Sequence, residues 1–251
     1  MTRPRTDVLV MSAIVAGWAA TVAGSLAGWR HAMGHDHVIE GDGSLWVGVL
    51  VFVVGWQVMV AAMMLPSSLP AIRWFQSLDG VAEVPGRRLG AFLAGYAGIW
   101  TAVGLGALAA DVPLHGASHH VGWLAARPWT ITVSALVIAG AFQLSRWSQA
   151  CREPEPVYVR ASVGDRVSSG GAWRLGADHA LVRLRECWPL MLVAFAFGMT
   201  SLAWMAGLTV LMTIERVPRF APRAALGSGV GFLALAGLTV VHAGWLSAIP
   251  V

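Results

Sequence analysis

The chain has 251 residues, of which 57% are hydrophobic and only 12% charged, a balance that a water-soluble domain of this length could not cover with polar surface. All 17 basic side chains are arginine, so chemistry that needs a Schiff-base or general-base lysine is excluded, and a net charge of +4 carried in short loops argues for membrane orientation rather than nucleic-acid binding. Two cysteines exclude a disulfide framework, and both are expected on the cytoplasmic side, where thiols stay reduced.

Taken in order, the sequence predicts an all-α, polytopic transmembrane helix bundle of about six spans, a single integral domain over 1–251. Val8 to Gly28 follows a basic start and is long enough to cross a bilayer; with no polar mature domain after it, an uncleaved first helix is expected rather than a signal peptide. A polar loop, Trp29 to Ser44, carries His31, Met33, His35 and His37, which extended backbone would place on one side. Imidazole with thioether in that pattern chelates Cu, Zn or Ni; the plainer reading is a solvated loop with incidental histidines.

The second span, Leu45 to Leu65, is expected to stop at Pro66, which has no N–H to continue a helix. Met59 and Met63 are four apart and Met64 lies beside them, so three soft sulfur atoms gather near that helix end. Packing alone explains any one such methionine; as a group they suit Cu(I). The third span, Leu89 to Ala110, is rich in glycine, as closely packed membrane helices are. The loop after it holds His115, His119 and His120, which counting from a cytoplasmic N-terminus places on the same face as the first histidine loop.

Trp129 to Trp147 forms the fourth span and brings Gln143 to membrane depth, where a polar side chain needs a partner. Residues 146–186 read as an arginine-rich cytoplasmic loop whose later half, Trp173 to Glu186, has the spacing of an interfacial amphipathic helix. The fifth span, Cys187 to Met212, carries Met191, Met199, Met205 and Met212, with Glu215 just beyond; Glu215 is either the carboxylate of a Met/carboxylate site or the surface partner of Arg216 or Arg219. A sixth span, Ala224 to Ile249, contains His242. The recurrence of Trp56-x-x-Met59 as Trp188-x-x-Met191 raises a 3+3 inverted repeat.

Three blocks carry a resemblance: Trp56-x-x-Met59-x-x-Ala62-Met63-Met64-x-Pro66-x-x-x-Pro70, then Ala139-Gly-Ala-Phe-Gln143-Leu followed by Cys151, then Cys187-Trp188-x-x-Met191 with Gly198, Met199, Trp204, Met205 and Glu215. Together they resemble a bacterial family of predicted metal-binding integral membrane proteins, a domain of unknown function. The resemblance implies an inner-membrane protein with a metal site and no settled activity. The family's extra cysteines before Trp188 and after Gln143 are reduced here to Cys187 and Cys151, so Met, His or Glu would make up the ligand set.

Two functions follow. In the first, the protein handles or transports a soft transition metal, Cu(I), with Met59, Met63, Met64, Met191, Met199, Met205, Cys187 and Glu215 as ligands inside the bilayer and His31, Met33, His35 and His37 as capture residues outside it. In the second, it is a metal-free membrane scaffold that docks a partner protein or a second copy. No enzyme signature is legible.

Overall fold

A computed structural model describes residues 3–27, 45–77, 85–120, 127, 129–151, 169–197 and 201–247. They are all-α, with eight helices among the described residues: α1 (Arg3–Leu26), α2 (Leu45–Ser77), α3 (Pro85–His120), α4 (Trp129–Leu144), α5 (Arg146–Cys151), α6 (Ser169–Ala196), α7 (Leu202–Ile214) and α8 (Ala221–Ser247). Among the described residues four stretches are long and apolar enough to cross a membrane: Val8–Leu26, Leu45–Gln76, Gly86–Asp111 and Ala221–Ala243.

That corrects the expectation of six. α4 has 16 residues and α7 has 13, so at 1.5 Å per residue they reach about 24 and 20 Å, short of a hydrocarbon layer of about 30 Å. The fourth expected span ends at Leu144 because the chain bends at Ser145, whose hydroxyl donates back to the carbonyl of Phe142 at 2.6 Å. The fifth is divided. α6 runs from Ser169 through Cys187 to Ala196, and α7 starts afresh after Ser201, which holds an extended backbone at φ −80°, ψ 103°.

Proline also behaves differently from expectation. α2 continues through Pro66 and Pro70 to Ser77, and α3 continues through Pro113 to His120, so the segment Asp111–His120 is helical rather than a loop. Each internal proline withholds one N–H and leaves the carbonyl four residues earlier without its helical donor, a cost that membrane-length helices tolerate when neighbours pack around it.

The chain forms two compact units, Met1–Ala110 with Pro154–Leu184, and Asp111–Glu153 with Arg185–Val251. In the first, α1 packs along α2, and α3 meets the first part of α6 at glycines: a Cβ on Gly95 would overlap the carbonyl of Trp173, and one on Gly176 that of Phe92. The face of α6 turned inward is Ala172, Gly176, His179, Ala180 and Arg183, while Trp173 and Leu181 are exposed. Small residues, not the large apolar ones, mark the packed side. In the second unit α4 lies along α8, with Gly140 and Gly229 at the contact; a Cβ on Gly140 would sit 2.9 Å from the Gly229 carbonyl oxygen.

The outward surfaces of α1, α2 and α8 are apolar, with Val8, Leu9, Leu26, Leu50, Leu226 and Leu238 all more than half exposed. Buried positions, by contrast, include Ser67, Ser68, Arg88, Gln143, Ser148, His179 and Arg183.

A candidate soft-metal centre

The first unit presents Trp56, Met59 and Met63 along one stripe of α2, at i, i+3 and i+7. Met59 is buried, and Met63 and Met64 are 0% exposed. The stripe is held in register by polar ties to α3. Trp56 Nε1 donates to the Trp100 carbonyl at 2.7 Å, and Gln57 Nε2 donates to the Ala97 carbonyl at 3.0 Å and to Thr101 Oγ1 at 2.6 Å. Gly104 makes room for the indole: a Cβ there would come within 2.8 Å of the Trp56 ring.

One turn beyond the thioethers the interior becomes polar. Ser67 Oγ donates to the Met64 carbonyl at 2.9 Å and accepts from Arg183 Nη2 at 2.7 Å. Ser68 Oγ and Tyr96 Oη share a hydrogen bond of 3.3 Å, and the Tyr96 ring stacks on His179 with centroids 5.7 Å apart. Phe92 lies against both His179, at 6.1 Å, and Phe75, at 4.8 Å. The sequence reading missed this cluster because it placed His179 and Arg183 on an interfacial helix. The signal was present as the stripe Ala172, Gly176, Ala180, whose small side chains share a face with both.

The second unit brings together residues far apart in sequence. Gln143 Nε2 donates to Glu215 Oε1 at 2.8 Å, and Ser148 Oγ lies 3.4 Å from Gln143 Oε1. A hydroxyl donating to Oε1 fixes the flip of the amide, so its NH2 faces the carboxylate. Gln143, buried at 2% exposure, thus has a side-chain partner. Arg216 forms an ion pair with Glu186, at 2.9 Å, and Glu215 accepts a side-chain bond from α4. Phe142 meets Trp188 edge-on at 5.6 Å.

Two of those ties involve the residues that flank Cys187 in the chain. Its chain neighbours Glu186 and Trp188 are anchored to the turn after α7 and to α4, and Gln143 and Glu215 join the same two elements to each other. Cys187 is buried, and so is Met191 one turn further along α6. On α7, Met205 and Met212 are buried on one face, with Thr209 between them donating to the Met205 carbonyl at 2.7 Å.

Of the expected ligands, then, Met59, Met63 and Met64 belong to the first unit and Cys187, Met191, Met205 and Glu215 to the second. His31, Met33, His35, His37 and Met199 lie outside the described residues. Among the described residues no three His, Cys, Asp or Glu side chains converge on a metal-sized site. What both units offer is buried sulfur. Thioether and thiolate donors fit Cu(I), which accepts low coordination by neutral soft ligands.

No curated protein and no solved structure matches the chain. Residues 53–239 match the PpoB2 family, described as a copper chaperone. The match covers well over half of the sequence and takes in every buried sulfur described above, so the chain belongs to the PpoB2 copper chaperone family.

Proposed function

We propose that this protein is an integral protein of the bacterial inner membrane that binds Cu(I) as cargo and passes it on, without chemistry of its own on a substrate. The observation that carries the reading is the burial of Met59, Met63, Met64, Cys187, Met191 and Met205 in a member of a copper chaperone family. Of the described methionines only Met11, outside the family match, is exposed. The outward apolar surfaces of α1, α2 and α8 support the membrane setting, because exposed area of that kind needs lipid or protein to cover it. The Trp-x-x-Met recurrence, once in each unit, supports two copper stations, one in each unit.

The chemistry is selective by softness. Thioethers bind Cu(I) without adding charge and discriminate against Mg and Ca, which take oxygen, while long unbranched methionine side chains can follow a departing ion. Elemental mass spectrometry on protein purified in mild detergent tests the reading. Stoichiometric copper is expected in the wild type and a loss of about one equivalent in Met63→Leu/Met64→Leu, which conserves volume. Equal copper in both proteins would sink it.

A further inference from the structure

The thioether turn of α2 is the part of that helix which its own backbone holds least. In a regular helix the N–H of each residue donates to the carbonyl four residues earlier. Pro66 and Pro70 have no N–H, so the bonds that would run from 66 to Ala62 and from 70 to Pro66 are not made, although α2 continues through both. Residues 62, 66 and 70 share one edge of α2, and Met63 and Met64 stand within the interrupted stretch.

Side-chain bonds to two other helices are made at that same place. Ser67 Oγ donates to the Met64 carbonyl and accepts from Arg183 Nη2, so a continuous chain of hydrogen bonds leads from α6 to the backbone of a thioether residue. The donor in that chain is charged, which strengthens its bond to the hydroxyl and polarises the hydroxyl toward the carbonyl. Ser67 and Arg183 are each 3% exposed, so water competes little for either bond. Ser68, the next residue, bonds Tyr96 of α3. The Arg183 end is itself fixed, because Arg183 lies two turns along the same face of α6 as Gly176, where the helix meets α3 too closely for a Cβ.

We propose that Ser67, oriented by Arg183, is a positioning residue of the α2 station: its bond to the Met64 carbonyl does what the interrupted ladder does not, setting where the Met63 and Met64 thioethers stand and how fast Cu(I) leaves them. This inference rests on the copper reading above. Selection of the metal stays with sulfur, whose flexible side chains cannot fix their own origin, and the tether governs geometry and release.

Ser67→Ala is the informative variant, because it cuts the tether by removing a single oxygen and leaves every charge in place; Ser67→Thr keeps the hydroxyl. Full-length protein in mild detergent would be loaded anaerobically with Cu(I). Release to a soluble chromogenic chelator would be followed in the phase that Met63→Leu/Met64→Leu abolishes, with copper K-edge X-ray absorption on the loaded protein. Release about tenfold faster than in the wild type, with a wider spread of Cu–S distances, is expected in Ser67→Ala, and wild-type behaviour in Ser67→Thr. Pro66→Ala/Pro70→Ala restores the ladder, so in that background Ser67→Ala should change release little, a coupling that a general loss of stability would not produce. Release and Cu–S shell unchanged in Ser67→Ala, or the same acceleration once the prolines are replaced, overturns the proposal. Copper lost in Met63→Leu/Met64→Leu but released from Ser67→Ala as from the wild type sinks the tether alone. Copper retained in the double methionine variant sinks the copper reading and the tether with it.

Discussion

The two units bury the same soft sulfur in opposite electrostatic company. In the first, the buried charged side chains are the guanidinium groups of Arg88 and Arg183, accompanied by His179, Ser67 and Ser68. In the second, two carboxylates, Glu186 and Glu215, are partly buried and tied to Arg216 and Gln143. On the copper reading proposed above, a cation would meet the guanidinium groups of Arg88 and Arg183 in the first unit and the Glu215 carboxylate in the second. At an effective dielectric constant of about 20, a unit charge about 8 Å away is worth about 2 kcal/mol. Two stations of unequal affinity are what a protein that accepts and then releases an ion requires, since binding that is uniformly tight would retain the cargo.

The comparison breaks completely if the α3/α6 contact is disrupted, so the largest effect is expected there. Gly176→Val places a branched side chain where even a Cβ would overlap the Phe92 carbonyl. Overpacking of this kind costs about 3 kcal/mol or more. Thermal unfolding in detergent should show a large loss of stability together with loss of copper from the first station, whereas Gly227→Val, at a glycine with nothing within 4 Å, should leave both unchanged.

Why that contact was hard to read in advance is instructive. The all-α class and the thioether face of α2 were legible because composition and i, i+4 spacing report them directly. Span number was not, since Pro66, Pro70 and Pro113 stand inside helices whose neighbours absorb the missing bonds, and Ser145 ends α4 early through a local hydroxyl contact. Gln143 could be seen to need a partner, but Glu215, 72 residues away, could not be named from sequence. His179 and Arg183 look like surface residues because charge usually marks a solvated face. Here Arg174, Asp178 and Arg185 are exposed while His179 and Arg183 are buried, and the small residues Gly176 and Ala180 were the better guide to which charged positions turn inward.

A second expectation sharpens the charge contrast. Glu215→Gln keeps the size of the side chain and removes the carboxylate from the second unit. Copper affinity there should fall by about tenfold, while the first station, read by the loss that Met63→Leu/Met64→Leu causes, should be unaffected. Gln143→Leu should act in the same direction and also cost about 1–3 kcal/mol, because Glu215 loses a buried donor. If Glu215→Gln leaves every copper affinity as it was, the carboxylates are structural and the contrast between units carries no function.

The converse change belongs to the first unit. Arg183→Gln, whose amide can still donate toward Ser67, removes a positive charge about one turn from Met63. If the guanidinium lowers the affinity of that station to permit release, the variant should bind Cu(I) about tenfold more tightly and give it up more slowly to a soluble chelator.

The smallest effect is expected at Glu186–Arg216, whose side chains keep 9% and 21% of their surface exposed. A partly solvated pair contributes about 1 kcal/mol or less, so Arg216→Ala should lower the unfolding midpoint only slightly. Its effect on copper separates two roles for the tie. As a tether of the turn that carries Glu215, it should loosen copper at the second station, and that loss should be cumulative with Glu215→Gln only in part, because both act through one carboxylate. As a mere surface pair it should leave the copper titration where the wild type has it.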